Sequence, residues 1–294
     1  INGYGERTGN ADLVSIIANL ELKKQQKVLP DQLLRESFRI SHAIAEVTNI
    51  SPSMRQPYVG VSAFAHKAGL HASAIKVDPS LYQHEDPASV GNDMRMLVSD
   101  MAGRASIELK SQELGVDLGG DKELITRIVE KVKLLESRGF TFEAADATFE
   151  LLVREEIARK RPTFFRVQHW LTSVESDENG SIVTKAEVTV SANGETLVCN
   201  GSGNGPVNAF DTALRSGLLQ LYPELANLEL TDYKVRILEG RLGTGAITRV
   251  LVETSDKNGS WNTVGVHENV IAASAMALED ALTYGLIRQG RSPE

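Results

Sequence analysis

A chain of 294 residues, 41% hydrophobic and 24% charged, can bury more than one core, and the usual span of roughly 100–200 residues per domain predicts two or three units. Its 39 acidic and 31 basic residues leave a net charge of -8 with no long run of either sign, which argues against a nucleic-acid partner and against a patch for anionic membranes. The apolar stretches read as shorter than the ~20 residues of a bilayer span, and the single cysteine, Cys199, excludes an internal disulfide framework, so a reducing, cytoplasmic setting is expected.

The first ten residues, INGYGERTGN, hold three glycines and lead into a helix-compatible run from Ala11 to Leu22. The chain opens at Ile1, inside this glycine-rich segment, and is expected to be a piece of a longer protein. After Pro30 and Asp31, apolar residues at Leu33, Leu34, Phe38, Ile40, Ile44 and Val47 recur at three- and four-residue steps, which predicts a helix with Asp31 near its N-cap. Pro52 and Pro57 impose an extended link, after which Phe64–Val77 reads as a short helix carrying two histidines. A turn-rich piece, a short strand near 94–98 and helices near 103–114, 121–137 and 143–160 complete a mostly helical half.

Past Pro162 alternating and β-branched residues take over, with turns at Asn179-Gly180 and Asn193-Gly194, which predicts strands over 164–174, 181–192 and 195–200 and then a helix over 206–221. The order repeats, with strands near 233–239, 247–255 and 261–267 and a helix over 269–287. Asn193-Gly194 recurs as Asn258-Gly259, and Ala213-Leu214 as Ala277-Leu278. The spacing predicts two βββα modules, each with one sheet face covered by its own helix and the other left for a partner.

Three segments are candidates for chemistry. Gly3, Gly5 and Gly9 around Glu6 and Arg7 form a loop that could bring backbone close to a ligand or simply turn the chain; the dinucleotide fingerprint does not fit it, and no Walker lysine follows. His66 and His71 stand five residues apart, which on one helix separates them by roughly 140° and makes them poor joint metal ligands. Either imidazole could instead carry a proton, or be a packed core histidine. Asp86–Gly91 and Ser99–Arg104 are explained equally well as a turn and a helix start.

In order and spacing these segments resemble the family of 2-isopropylmalate, homocitrate and citramalate synthases. The GERxGN signature stands at Gly5–Asn10, AFxHxxGxH at Ala63–His71, and DPxxVG at Asp86–Gly91. The segment Phe142–Leu152 looks most like the citramalate branch. The resemblance implies an α+β chain in three parts: residues 1–28 as the edge of a (β/α)8 barrel, 29–162 as helical linker subdomains, and 163–294 as a regulatory and dimerisation domain of two βββα modules.

It also implies an acyltransferase that condenses acetyl-CoA with pyruvate to give (R)-citramalate and CoA, on the way to isoleucine. The alternatives are the leucine-pathway enzyme 2-isopropylmalate synthase, and a module of residues 163–294 that only senses amino acids. A divalent metal, Mg or Mn, is implied, with Asn10 as one ligand, Glu6 near the reacting centre, His71 as a proton carrier offered to a neighbouring subunit, and Tyr82 beside it. Ala72-Ser73-Ala74 departs from the more polar family pattern. A homodimer is implied, as is a branched-chain effector, isoleucine preferred, at the loops before the two module helices, through Gly205, Val207, Asn269 and Ile271.

Overall fold

A computed structural model describes residues 1–50, 53–99, 103–238 and 245–293, so part of the Ser99–Arg104 segment, and Pro52 and Glu239, lie outside the described residues. Helices and sheets are mixed in an α+β arrangement, and the chain divides into two compact units, residues 1–115 and 116–294.

In the first unit α1 (Leu13–Ala18) runs into a single π turn, Asn19–Lys23. Asp12 caps α1, accepting from the Val14 and Ser15 backbone N–H groups at 3.3 Å each. Burial works against the Asp12 charge, but these bonds and those from the Ser15 and Gln56 side chains hold its carboxyl below the usual range. Asp31 does not cap the next helix: it pairs with Lys27 at 2.6 Å. Gln32 takes a left-handed backbone (φ 68°) before a 3-10 turn at Leu33–Glu36, and α2 spans Ser37–Thr48. The α1 and α2 region packs around Val14, Ala18, Leu34, Tyr58, Val59, Phe64 and Val90.

The predicted helix over 64–77 is in fact two elements. Residues Ala65–His66 form β1, paired in parallel with β2 (Arg95–Met96), and α3 starts only at Gly69 and ends at Val77. The Arg95 and Leu97 N–H groups donate to the Phe64 and His66 carbonyls at 3.2 and 2.8 Å, so this stretch is held extended and Ala68 (ψ 139°) is the bend into the helix. Against α3 packs α4 (Arg104–Glu113). Residues 1–28 contain α1 and the π turn and no strand.

The second unit opens with α5 (Lys122–Ser137), capped by Asp121, and α6 (Asp146–Ala158). Two modules follow: β3 (Phe165–Ser176), β4 (Ile182–Ala192), β5 (Glu195–Gly203) and α7 (Pro206–Leu221), then β6 (Glu229–Ile237), β7 (Thr248–Asp256), β8 (Gly259–His267) and α8 (Val270–Arg288). Each sheet is antiparallel in chain order. The modules superpose at an offset of 64: Gly201 meets Ala209 and Ala213 of α7, and Gly265 meets Ala273 and Ala277 of α8.

The turn breaks that offset. In the first hairpin Asn193 and Gly194 are the two central residues, both at positive φ (51° and 78°), whereas in the second Asp256 pairs with Gly259 and the centre is Lys257-Asn258. The Asn-Gly pair has therefore slipped one place relative to the strands.

Among the described residues α8 is the one helix long and apolar enough to cross a bilayer, with 19 residues and a mean hydropathy of 1.4. Its apolarity is explained by burial: it is covered by β7, β8, α6 and α7, and Ala273, Ala277, Leu278, Ala281 and Leu282 sit in the core shared by both modules.

Candidate functional site

The glycine-rich loop is built from its own backbone. Asn10 N–H donates to the Gly3 carbonyl at 2.8 Å, Gly9 N–H to Glu6 at 3.0 Å, and the Asn10 amide nitrogen to the Tyr4 carbonyl at 3.0 Å. A Cβ at Gly9, which also has φ 93°, would overlap the Gly3 carbonyl, so that glycine is required by close approach, whereas one at Gly5 would meet only the Asn10 side chain. Asn2 anchors the loop to α2 through Ser41, at 2.6 Å from the Ser41 hydroxyl and 2.9 Å to its carbonyl. Glu6, Arg7 and Asn10 are left exposed.

This donor set is too small for a metal. The Asn10 nitrogen is committed to Tyr4, which leaves its Oδ1 as one neutral oxygen ligand, and among the described residues no group of three or more His, Cys, Asp or Glu could hold an ion. Hard divalent cations need six or more oxygens, counting water. Asn10 alone does not make a metal site.

His71 and Tyr82 come together: their rings stack with centroids 4.0 Å apart and 28° between planes. Tyr82 follows the 3-10 turn Pro79–Leu81, which Asp78 caps by accepting from Ser80 N–H at 2.9 Å. His66, on β1, presents an edge to His71 at 6.1 Å. The approach is possible because the two histidines lie on different elements, so the helical separation expected for them does not apply.

His66 is buried and its Nε2 has no hydrogen-bond partner; burial, reinforced by His71 and His84, pushes its pKa down and keeps it neutral. His84, which sequence reasoning missed, stacks on Phe64 at 4.7 Å. Its only signal was a further histidine near the motif. Beside His84 lies a cavity of about 650 Å³ whose lining includes Asp78, Glu85, Asp86 and Asp93, a set that repels phosphates. Ala72-Ser73-Ala74 is ordinary α3 helix, with Ala72 buried and the Ser73 hydroxyl donating to Gly69 at 2.9 Å.

In the second unit the two module helices begin differently. Asn269 caps α8 itself, its Oδ1 accepting from Ile271 at 2.8 Å and Ala272 at 3.1 Å. Gly205 before α7 is extended and offers no side-chain cap. The first-turn N–H groups near Val207 are thus open to an anion, while those at Ile271 are already used. Val207 and Ile271 are both half-buried.

Two family profiles match this chain: the homocitrate synthase post-HMGL domain-like family over residues 58–139 and the LeuA allosteric (dimerisation) domain over residues 143–286. The chain is 63% identical over 292 residues to the (R)-citramalate synthase of Streptomyces coelicolor, covering 99% of this chain and 55% of that protein. It is 42% identical to the (R)-citramalate synthase of Geobacter sulfurreducens, covering 97% and 54%, and 30% identical to the 2-isopropylmalate synthase of Aquifex aeolicus, covering 98% and 53%. The chain thus spans about half the length of the relatives it matches.

Proposed function

This chain belongs to the family of 2-isopropylmalate, homocitrate and citramalate synthases, and on that premise we propose that it is part of a cytoplasmic acyltransferase making (R)-citramalate and CoA from acetyl-CoA, pyruvate and water. The observation that carries this choice is the gap in identity between relatives named for citramalate and for isopropylmalate, 63% for that of Streptomyces coelicolor against 30% for that of Aquifex aeolicus.

The chemistry removes a proton from the thioester methyl, joins that carbon to the pyruvate carbonyl carbon, protonates the resulting alkoxide, and cleaves the thioester with water. His71 is the proton carrier, since a half-exposed imidazole can exchange with solvent and with a substrate. Tyr82 positions it: the stack at 4.0 Å limits ring rotation. Glu6 and Asn10 belong to the reacting face of the glycine-rich loop, and Asn10 Oδ1 would offer one ligand to a Mg or Mn ion whose other ligands these residues do not supply.

The 294 residues alone should therefore release no thiol from acetyl-CoA in the presence of pyruvate and Mg or Mn. Product analysis of the complete enzyme tests the assignment. Citramalate from pyruvate is expected, and faster turnover of 2-oxoisovalerate would reverse it. Residues 163–294 act as the dimerising, feedback-sensing part, with isoleucine as effector and the open α7 N-terminus at Gly205 and Val207 as the carboxylate's seat, ahead of the self-capped Asn269 and Ile271.

A further inference from the structure

We propose that the cavity lined by α5, α6, β8 and α8 binds a small organic ammonium ion with a short apolar arm, and that Glu279 is its counter-ion. The cavity measures about 370 Å³, at the lower end of volumes that hold small organic ligands. Half of its wall is apolar, from Leu135, Phe140, Leu152, Val264 and Met276. The other half is ionic, and there the charges do not balance.

Two cations line the space, Lys131 and Arg161, against three carboxylates, Glu155, Glu279 and Asp280. Both cations are already engaged. Arg161 bonds Asp280 at 2.5 Å and Glu155 at 3.0 Å, and Lys131 reaches Glu155 at 3.3 Å and Glu156 at 3.7 Å. Asp280 takes a further bond from the Thr148 hydroxyl at 3.2 Å. Glu279 has neither hydrogen bond nor ion pair among the described residues; Arg161 attracts it only at longer range.

Glu279 is half-buried, and a carboxylate partly withdrawn from water without a partner is stabilised by a proton or a cation. Burial and the adjacent Asp280 charge push Glu279 up to about 7, so at neutral pH the group is poised between a proton and a cation. An anion would meet the spare negative charge. A divalent metal would find too few oxygens, since Asp280 and Glu155 are held by Arg161 and Lys131. An ammonium group can donate to Glu279 while its hydrocarbon arm fills the apolar half. The sequence carries a signal for this: Glu279-Asp280 is the one acidic pair in the otherwise apolar α8.

The ligand chemistry fits both a simple amine and an amino acid, whose carboxylate would additionally have to draw Lys131 away from Glu155. Calorimetric titration of the 294-residue chain at pH 7.5 with isobutylammonium, isoleucine and isovalerate separates them. Isobutylammonium should bind and raise Tm. Isovalerate and isoleucine carry the carboxylate that α7 seats, so they report on this cavity only through Glu279→Gln, which should leave isovalerate unchanged; isoleucine weakened by that variant is a ligand here as the zwitterion. Glu279→Gln, which keeps volume and one acceptor oxygen, should weaken isobutylammonium at least ~10-fold, the scale of losing one charge-assisted hydrogen bond. At pH 6 the wild-type binding heat should depend on the buffer, because Glu279 must give up its proton to receive the cation. That proton release needs no variant and is absent if another group holds the ligand. Isovalerate weakened by Glu279→Gln as much as isobutylammonium, undiminished isobutylammonium binding by that variant, or buffer-independent heat at pH 6 would each overturn the assignment.

Discussion

His71 and His66 differ in what surrounds them, and substitution should separate their roles. His71 is half-exposed against the Tyr82 ring, whereas His66 is buried on β1 with a silent Nε2. In the complete enzyme His71→Ala should lower kcat by ~10²–10⁴, the usual scale for a positioned acid or base, with little change in Tm. His66→Ala should lower kcat less and instead cost roughly 1–3 kcal/mol of stability, the range for most core truncations. Equal kinetic losses would return His71 to a packing role.

Glu279 gives a second test at the same scale, with a definite sign. Its folded pKa of about 7 lies above the unfolded value of 4.5, so the native state holds the extra proton between them. The stability that this proton supplies is complete below pH 4.5 and is lost as pH rises through 7. Lys131, Glu155, Arg161 and Asp280 face the same space and stay paired across that window. Melting temperatures from pH 5 to 8 should thus fall in the wild type relative to Glu279→Gln.

Among elements, the module is defined by where strand and helix touch. A Cβ at Gly265 would overlap the Ala273 carbonyl and crowd the Ala277 nitrogen, and one at Gly201 would overlap Ala209 and Ala213 backbone. Backbone atoms cannot swing aside as a side chain can, so Gly265→Ala and Gly201→Ala should each cost on the order of 1–3 kcal/mol, the range for overpacking. Gly205→Ala is the control: nothing lies within 4 Å of its added Cβ and its backbone is extended. Urea unfolding of the three variants measures the contrast.

This layer was legible in the sequence to the extent that local chemistry decided it. Asn193-Gly194 announces its hairpin because both central residues need positive φ, and the 64-residue echo of Ala213 in Ala277 marks the helix face that meets the sheet. Asp31 failed as a cap because Gln32 turned left-handed after it. The His66–His71 pair was misjudged because β1 is held by bonds to residues near 95, about thirty positions away, which no helical periodicity can reveal. The Glu279 cavity depends on α5 and α6 folding over α8, and only the acidic pair hinted at it.

For the whole molecule the open question of physics is what covers the outer face of the β3–β5 sheet. The register puts Leu171 opposite Glu187, Val183 opposite Glu175 and Val198 opposite Thr189, on the side away from α7. Leu171, Val183 and Val198 are 59%, 45% and 60% exposed. A symmetric dimer would cover them, and Val198→Glu should shift the chain toward monomer in sedimentation velocity.

Effector binding follows if the dimer is the folded form that isoleucine prefers. The open N–H groups of Val207 and Asn208 in the first turn of α7, where Pro206 has none, favour a carboxylate through hydrogen bonding and the helix dipole together, while Asn269 blocks the equivalent groups of α8. A ligand confined to the native dimer raises its apparent stability by mass action, about 2.7 kcal/mol at one hundred times Kd. Thermal melts of the 294-residue chain should therefore rise with isoleucine more than with leucine or valine. Asn269→Ala should lower the baseline by ~1 kcal/mol, the usual worth of a cap, without reducing the isoleucine shift. Gly205→Asp should have the opposite signature: its backbone is extended with room for a side chain, and a carboxylate at the N-cap occupies the open amides, so the baseline holds and the shift should shrink. A shift that disappears in Asn269→Ala and survives in Gly205→Asp would move the carboxylate's seat from α7 to α8, and leucine shifting the melt most would favour the isopropylmalate branch.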